Sequence, residues 1–391
     1  MFTRRRVLAG ALLGVTGTLA GRLALPSLLR RGPPEALPEG LQDFVDEQLE
    51  GLDRAQVWDV HAHLLGLGQG TDCFVGEGMR SHLHPIQRLQ FDVYLASAGF
   101  SPDTDDRAYL ERVAELQRLA NAPGRVMLMA FDVVVDEEGR EQAALSAFHT
   151  PNAYVLEAAQ TWPTVEAIAS IHPYRPDAVE RLRASVEAGA RAIKWLPGAM
   201  HIDPASPLCA PFYEALAELD LPLITHAGAE AAVESAVEEY GDPRRLQLPL
   251  ELGVRVVVAH CASLGQVDER PAFDLWLEMM EDPRWEGQLF GEISAMTQVN
   301  RCGPPLRTVL ERTDLHPRLL NGSDYPLPAV DPLISTLRLR QLGYLDAEQR
   351  KLCNAVYRHN PLLFDLVVKR CLRSGGQSFA AEVFQTRRHF V

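Results

Sequence analysis

The chain has 391 residues, of which 47% are hydrophobic and 23% are charged. This composition is ordinary for a folded globular protein and excludes a largely disordered chain. The 38 basic and 52 acidic residues give a formal net charge of −14. This charge argues against sequence-independent nucleic-acid binding, which requires clustered Lys and Arg. After the first 30 positions there is no run of about 18 uncharged apolar residues, so no membrane span is predicted for the body of the protein.

The N-terminal residues 1–31 predict an export signal. They contain arginines but no Asp or Glu, and the apolar stretch 7–20 has the length of a signal-peptide hydrophobic region. The sequence Thr3-Arg4-Arg5-Arg6-Val7-Leu8 resembles the twin-arginine motif, with Val7 where that motif usually has Phe. We therefore expect the twin-arginine machinery as a partner and a periplasmic or extracellular location, with the segment cleaved or retained as an anchor. A buried or amphipathic N-terminal helix is the alternative, and residues 32–54 are interpreted as a linker and N-terminal extension.

Eight short apolar segments predict buried strands. They are residues 56–63, 126–135, 167–171, 191–194, 222–226, 255–260, 288–292 and 318–324. The last five end in polar residues spaced 32 to 34 positions apart, namely Lys194, His226, His260, Glu292 and Asp324. Helix-like stretches at 211–219 and 271–280 open with a proline, which suits the first turn of a helix. Because one βα unit takes roughly 30 residues or more, this spacing predicts successive βα units.

Eight βα units predict an α/β protein with the (β/α)8 TIM-barrel fold, whose active site lies at the carboxyl ends of the strands. A doubly wound open sheet is the alternative, but it does not need ligand-type residues at so many strand ends. The barrel is predicted over residues 55–365. The stretch 64–124 is too long for one crossover and predicts an insertion after the first strand that caps the barrel mouth. Residues 366–391 are interpreted as a peripheral C-terminal extension.

Histidines and an aspartate at these strand ends predict a metal site. His61 and His63 are two residues apart on one strand, so both imidazoles can point at one ion. Each histidine taken alone is as easily explained as a core residue with satisfied hydrogen bonds. Together with His226, His260 and Asp324, they form a ligand set suited to catalytic zinc, in one or two ions, although manganese, iron and nickel accept the same ligands. The six cysteines include no CxxC pair, so a cysteine-based zinc site is not predicted.

Five segments of the chain together resemble the amidohydrolase superfamily, in particular its amidohydrolase-related branch of metal-dependent TIM-barrel hydrolases. The matching segments are Asp59-Val60-His61-Ala62-His63, Ile224-Thr225-His226-Ala227-Gly228, Val258-Ala259-His260-Cys261, Gly322-Ser323-Asp324-Tyr325-Pro326 and Asn360-Pro361-Leu362-Leu363-Phe364. The resemblance covers about residues 55–365. It implies a barrel in which His61, His63 and Asp324 hold one metal ion. It also implies that His226 and His260 lie near or on a second ion.

Lys194 determines how many metal ions the resemblance implies. The segment Ala192-Ile193-Lys194-Trp195-Leu196-Pro197 looks like the fourth-strand lysine that some superfamily members carboxylate and use to bridge two ions. Carbamate formation converts a lysine cation into an anionic ligand, so we expect Lys194 to act as this bridge. An uncarboxylated lysine that binds an acidic substrate is one alternative. A lysine whose stem is buried while its ammonium group reaches solvent is another.

The leading functional hypothesis is an enzyme that hydrolyses an amide, lactone or related ester bond of a small molecule. Bound metal lowers the pKa of water and polarises a carbonyl group. Asp324 is expected to take the proton of that water and pass it to the leaving group. Members of the same branch that perform metal-dependent non-oxidative decarboxylation provide the runner-up hypothesis, and an exported metal-binding protein without catalysis provides a third.

Four further residues are weaker candidates for binding substrate. His172, Tyr174 and Arg175 follow the third predicted strand, and His201 follows the fourth. For each of them, a polar loop at a strand end is the favoured interpretation and substrate binding the weaker one. Glu292 ends the seventh strand, where it either orients a metal-binding histidine or forms a structural ion pair. The oligomeric state is not predicted.

Overall fold

The computed structural model describes residues 30–81, 85–101, 103–119, 124–230, 236–331 and 333–391. Nearly all of the expected export signal therefore lies outside the described residues, as do parts of the expected cap. Among the helices in these ranges, none is long and apolar enough to cross a membrane.

The fold is built on eight strands, β1 to β8, that form one parallel sheet in chain order. Their bounds are Trp58–His63, Arg125–Met129, Val165–Ala169, Ala190–Trp195, Leu223–His226, Val256–Ala259, Leu289–Glu292 and Leu319–Leu320. Each strand overlaps one of the eight predicted segments. The ring closes between β8 and β1, because Val60 N donates to Asn321 O at 3.1 Å and His63 N donates to Tyr325 O at 2.8 Å. The predicted TIM barrel is confirmed.

The α-helices of the described ranges are labelled α1 to α15 in chain order. Their bounds are Glu39–Gln48, Glu77–Arg80, Pro85–Ser97, Arg107–Leu119, Asn152–Thr161, Ala178–Glu187, Pro197–Met200, Ala210–Glu218, Gln247–Glu251, Ala272–Glu281, Pro304–Glu311, Thr336–Gln341, Ala347–His359, Pro361–Cys371 and Ala381–Phe384. Helices α8 and α10 match the two helices predicted at 211–219 and 271–280. Two short antiparallel pairs flank the barrel, Phe74–Val75 with Phe148–His149 and Gln266–Val267 with Arg270–Pro271.

Apolar side chains fill the barrel interior up to the last residues of its strands. Ala192 of β4, Ile224 of β5 and Phe290 of β7 belong to one buried cluster there. Because side chains alternate along a strand, the residues two positions further on face the same interior. The interior therefore changes from apolar to polar near the carboxyl ends of the strands, where the candidate site lies.

The segment between β1 and β2 combines a cap with an ordinary crossover helix. Helices α2, α3 and α4 lie within the predicted insertion 64–124. Val113 and Leu116 of α4 pack in one buried cluster with Val126 and Leu128 of β2. Helix α4 is thus the helix of the first βα unit, and the inserted part ends before it.

The C-terminal residues close the amino end of the barrel, in contrast to the peripheral extension that the sequence led us to expect. Helix α14 continues through the predicted boundary between residues 365 and 366. Beyond it, Thr386 Oγ1 accepts from Trp58 N at 3.2 Å and donates to Trp58 O at 2.6 Å. The ring of Phe390 joins the apolar cluster inside the barrel. These residues pair with the start of β1, whose backbone would otherwise lack buried partners.

Candidate metal centre

Three of the predicted site residues owe their direction to strand alternation. Lys194, His226 and Glu292 each lie two positions after an interior apolar residue, so they point into the barrel near its carboxyl end. All three are buried, with Lys194 1% exposed and Glu292 fully buried.

A shift of register in β1 turns His61 and His63 into the same space. Trp58 and Val60 face the barrel interior, so simple alternation would turn both histidines outward. The pairing of β1 with β2 shifts between Asp59 and Ala62. Ala62 then packs in the cluster outside the strands. Such irregularities re-aim side chains next to active sites.

Asp324 and His260 follow their strands in the left-handed backbone region. Asp324 has a φ of 62°, and its N–H donates to His61 O at 2.7 Å. His260, Cys261 and Ala262 have φ values of 54°, 51° and 49°. This conformation costs a non-glycine residue roughly 1–2 kcal/mol. Strain of this kind persists only where surrounding contacts hold the backbone, and it is concentrated at functional sites.

Two groups of potential ligand atoms result, and His61 belongs to both. In the first, Asp324 Oδ1 is 3.0 Å from His63 Nε2 and 3.5 Å from His61 Nε2. In the second, His61 and His260 approach Glu292, and within each group the atoms lie within 4.8 Å of one another. The first group has the histidine and carboxylate ligands that a divalent metal ion accepts.

Glu292 orients the two histidines of the second group. Its Oε1 accepts from His61 Nδ1 at 2.9 Å and from His260 N at 2.8 Å. Ser294 donates two more hydrogen bonds to this carboxylate, from its hydroxyl to Oε1 at 2.8 Å and from its backbone N–H to Oε2 at 2.6 Å. His260 Nδ1 in turn lies 3.0 Å from Ser294 O. Because both Nδ1 atoms are used in this way, the Nε2 atoms of His61 and His260 are left to face the pocket, which is the usual arrangement of a metal-binding histidine.

Two buried nitrogen atoms of the pocket wall lack a hydrogen-bond partner among the described residues. They are Lys194 Nζ and His226 Nε2. Glu230 Oε2 lies 3.2 Å from His226 Nε2, but without hydrogen-bond geometry. A buried nitrogen without a partner is costly, and such an atom calls for a ligand, an ion or water. For His226, this observation fits a metal ion held by a neutral imidazole nitrogen.

Burial sets the protonation states of the centre. It lowers the pKa of His226 to about 4 and, together with the nearby Lys194, holds the pKa of His61 well below its usual range. Burial and then Arg301 do the same for the pKa of His260. Burial also lowers the pKa of Lys194 to about 8. Because charged forms are disfavoured here, the imidazoles of His61, His226 and His260 are neutral at pH 7, the form that binds metals.

The pocket above these residues is narrow and open to solvent. Sequence reasoning did not identify several of its wall residues, namely Tyr94, Glu230, Gln298, Asn300 and Arg301. Tyr94 comes from helix α3 of the cap, and the others lie in loops after β5 and β7. Arg301 is only 5% exposed, and its Nη1 donates to Ser263 Oγ at 2.8 Å. For the four loop residues, their position after a strand end was the available signal in the sequence. That signal did not distinguish them from ordinary loop residues.

The four weaker candidates do not line this pocket, as far as the described residues define it. His172 is fully buried, and its Nε2 donates to Met200 O at 2.9 Å while its Nδ1 accepts from Tyr174 N. Arg175 forms a bidentate pair with Asp132, at 2.8 and 2.7 Å.

The other two candidates also have partners or positions away from the pocket. The hydroxyl oxygen of Tyr174 accepts from Asp203 N, and His201 is half-buried just after the short helix α7. In the part of the chain that the structure describes, none of the four lines the pocket, and His172, Tyr174 and Arg175 have hydrogen-bond partners elsewhere.

Comparison with solved structures finds matches of low sequence identity. A candidate 2-pyrone-4,6-dicarboxylic acid hydrolase from Pseudomonas putida is 18% identical, with 80% of this chain and 98% of that chain covered and a TM-score of 0.46. The IDCase of Metarhizium anisopliae is 14% identical, with coverage of 88% and 98% and a TM-score of 0.46. The 5-carboxyvanillate decarboxylase of Sphingomonas paucimobilis is 12% identical, with coverage of 79% and 99% and a TM-score of 0.42.

A search of curated proteins finds no match. The family model described as Amidohydrolase matches residues 58–361, which run from the start of β1 to the start of α14. That range contains every strand of the barrel and every residue of the candidate metal centre. The chain therefore belongs to the amidohydrolase family.

Proposed function

We propose that this protein is a metal-dependent hydrolase that attacks an amide, lactone or related ester bond of a small molecule with an activated water. The observation that carries the proposal is the convergence of His61, His63 and Asp324 beside two buried nitrogen atoms without partners, those of Lys194 and His226. Neutral imidazoles and a carboxylate at the mouth of a TM barrel form a site suited to metal-assisted hydrolysis.

The residues divide into two ligand groups. His61, His63 and Asp324 would hold one ion, His226 and His260 would hold a second, and Lys194 would contribute to both. Bound divalent metal supplies a water of lowered pKa and polarises the scissile carbonyl group. Zinc suits these ligands first, and manganese, iron or nickel are accepted by the same set.

Asp324 moves the proton in this proposal. Its carboxylate accepts the proton of the attacking water and then donates it to the leaving group. Burial raises the pKa of Asp324, which makes the carboxylate a better base than one in solvent. The hydrogen bond from His61 to Glu292 keeps the imidazole in the tautomer whose Nε2 faces the pocket.

As a carbamate, Lys194 would bridge the two ions. Its ammonium group first loses one proton to solvent. The neutral amine then adds to the carbon of CO2, so that an N–C bond forms while one C=O π pair moves onto oxygen, and loss of a second proton from nitrogen leaves an anionic carbamate in place of the cation. Burial without a hydrogen-bond partner supports this step, because an ammonium group in that position is poorly solvated. Asp324 and Lys194 are thus the two residues on which the dinuclear hydrolase depends.

A metal-dependent decarboxylase is the second candidate. The pocket wall contains two basic side chains, Lys194 and Arg301, which would suit an acidic substrate if Lys194 remains uncarboxylated. A single ion held by His61, His63 and Asp324 would accompany that chemistry.

The proposal also includes export. The arginine-rich residues 1–31 support delivery by the twin-arginine machinery to the periplasm or beyond. That machinery carries folded cargo, which is consistent with metal loading before export.

The test is the metal content per chain, measured by elemental mass spectrometry on protein purified without chelator. We expect about two ions in the wild type and about one in Lys194→Ala. The control is Lys351→Ala, an exposed lysine of α13, which should keep the wild-type content.

The outcome decides between the two candidates. Two ions in both the wild type and Lys194→Ala would refute the bridge. One ion in the wild type, with CO2 release from aromatic acids and no hydrolysis of amides or lactones, would favour the decarboxylase. No metal, and none taken up on reconstitution, would refute both.

A further inference from the structure

A buried lysine on helix α14 contacts the loop that carries Asp324. Lys369 lies on α14 with a fully buried side chain. Its Nζ donates to Gly322 O at 2.6 Å and to Asn321 Oδ1 at 3.4 Å. The third partner is Asp365 Oδ2, one helical turn away at 2.6 Å. Because an ammonium group has three donors, these contacts use all of them.

The same loop is also held by β1. Asp59 Oδ1 accepts from Ser323 N at 2.7 Å and from His61 N at 3.2 Å. The loop of residues 321–324 therefore contacts both a carboxylate on β1 and an ammonium group on α14. Asp324 follows with its left-handed φ of 62° and donates its N–H to His61 O.

Stability alone is a poor explanation for a buried lysine in this position. Desolvating an ion pair costs several kcal/mol per ion, and apolar residues of similar volume often replace such a pair without loss. A left-handed aspartate, by contrast, needs contacts that hold its backbone. The Lys369 contacts fall on Asn321 and Gly322, which immediately precede Ser323 and Asp324.

We infer that Lys369 is a positioning residue that, together with Asp59, holds the 321–324 loop so that the Asp324 carboxylate meets His61 and His63. The inference rests on the proposed role of Asp324 as a metal ligand. It assigns a part in the site to a residue beyond the family match, since that match ends at residue 361.

The test compares Lys369→Met with Arg370→Met. Both substitutions remove a cation from the same helix, but Arg370 donates to Gln48 O and Glu50 O and has no contact with the loop. The first measurement is hydrogen–deuterium exchange of the peptide that spans 320–326, in metal-free full-length protein far below its unfolding temperature. The second is the dissociation constant of Co²⁺, with its visible spectrum.

We expect faster exchange at 320–326 and roughly 10–100-fold weaker Co²⁺ binding in Lys369→Met, with neither change in Arg370→Met. Exchange as slow as in the control would overturn the inference. Faster exchange with unchanged Co²⁺ affinity and spectrum would overturn it too, because the loop would then move without effect on the metal ligands; whether Asp324 is a ligand is tested separately by the Co²⁺ affinity of Asp324→Ala. If Lys369→Met does not fold, the double variant Asp365→Leu/Lys369→Met removes both members of the ion pair, so that the Asp365 carboxylate is not left buried without its partner. The same criteria then apply.

Discussion

Replacing Glu292 by glutamine tests whether this residue prepares His61 and His260 for metal binding. The substitution keeps the size of the side chain and removes its charge. Glu292 is fully buried and accepts four hydrogen bonds, three at Oε1 and one at Oε2. A glutamine that keeps its carbonyl oxygen at the Oε1 position retains the three hydrogen bonds made there. Its NH2 group then faces Ser294 N–H, another donor, so the fourth hydrogen bond is lost.

The expected effects follow from these contacts. A hydrogen bond to a charged group is worth roughly 1.5–3 kcal/mol, so the free energy of unfolding of the metal-free protein should fall by about that amount. Loss of the carboxylate partner of a metal-binding histidine weakens metal affinity roughly 10–100-fold. That range corresponds to about 1.4–2.7 kcal/mol. Alanine would be a worse choice, because it would leave the N–H groups of His61, His260 and Ser294 buried without an acceptor.

Two assays measure these quantities separately. Competition with a chromogenic chelator gives the affinity for Zn²⁺, and urea unfolding of the metal-free protein gives the stability. Glu286→Gln, an exposed carboxylate just before β7, makes the same chemical change away from the site and should alter neither. Unchanged zinc affinity in Glu292→Gln, despite reduced stability, would mean that Glu292 has only a structural role. The interpretation that Glu292 orients His61 for metal binding would then be wrong.

Three further predictions address the proton acceptor, the buried imidazoles and the barrel closure. Asp324→Asn should lower turnover at least about 100-fold while most of the metal remains, and near-normal turnover would exclude Asp324 as the proton acceptor. His226 has a pKa of about 4 in the folded protein against 6.5 when exposed, so the unfolded chain binds a proton first and stability falls as the pH drops from about 6.5 towards 4. Urea unfolding of metal-free His226→Asn should therefore lose about 2 kcal/mol less than the wild type between pH 7 and pH 5. Thr386→Val should reduce the unfolding free energy by about 2–4 kcal/mol, because it leaves Trp58 N and O buried without partners, while metal content and turnover stay close to wild type.

The barrel was predictable because its signals are local and repeated. A short apolar segment that closes with a polar residue recurs every 32 to 34 positions from Lys194 to Asp324. The β-strand period then directs Lys194, His226 and Glu292 inward without further information. For His61 and His63 the direction depends on a register shift in β1, which is set by pairing with β2 and leaves no mark in the sequence of β1 itself.

Residues whose environment depends on distant segments could not be assigned from the sequence. His172 and Arg175 follow a strand end just as His226 does, yet their polar atoms bond to Met200 and Asp132. Glu292 remained open between an orienting role and an ion pair, because the four donors around it come from β1 and from two different loops. The sequence does not single out Lys369, because only folding brings it to the 321–324 loop, where its partner Gly322 lies 47 positions earlier in the chain.

The backbone of the candidate site and the closure of the barrel are parts of one arrangement. The four left-handed residues, Asp324 and His260 to Ala262, cost the folded state roughly 4–8 kcal/mol in total, which is a large fraction of the roughly 5–15 kcal/mol by which domains are stable. The fold offsets this cost locally, through Glu292 under His260 and through Asp59 and Lys369 around Asp324. Since those partners come from β1, β7 and α14, the geometry of the site requires the complete ring, including the C-terminal helix. A truncation after the family match would therefore remove a support of Asp324 as well as the cover of the barrel end, and the site would lose its geometry together with its stability.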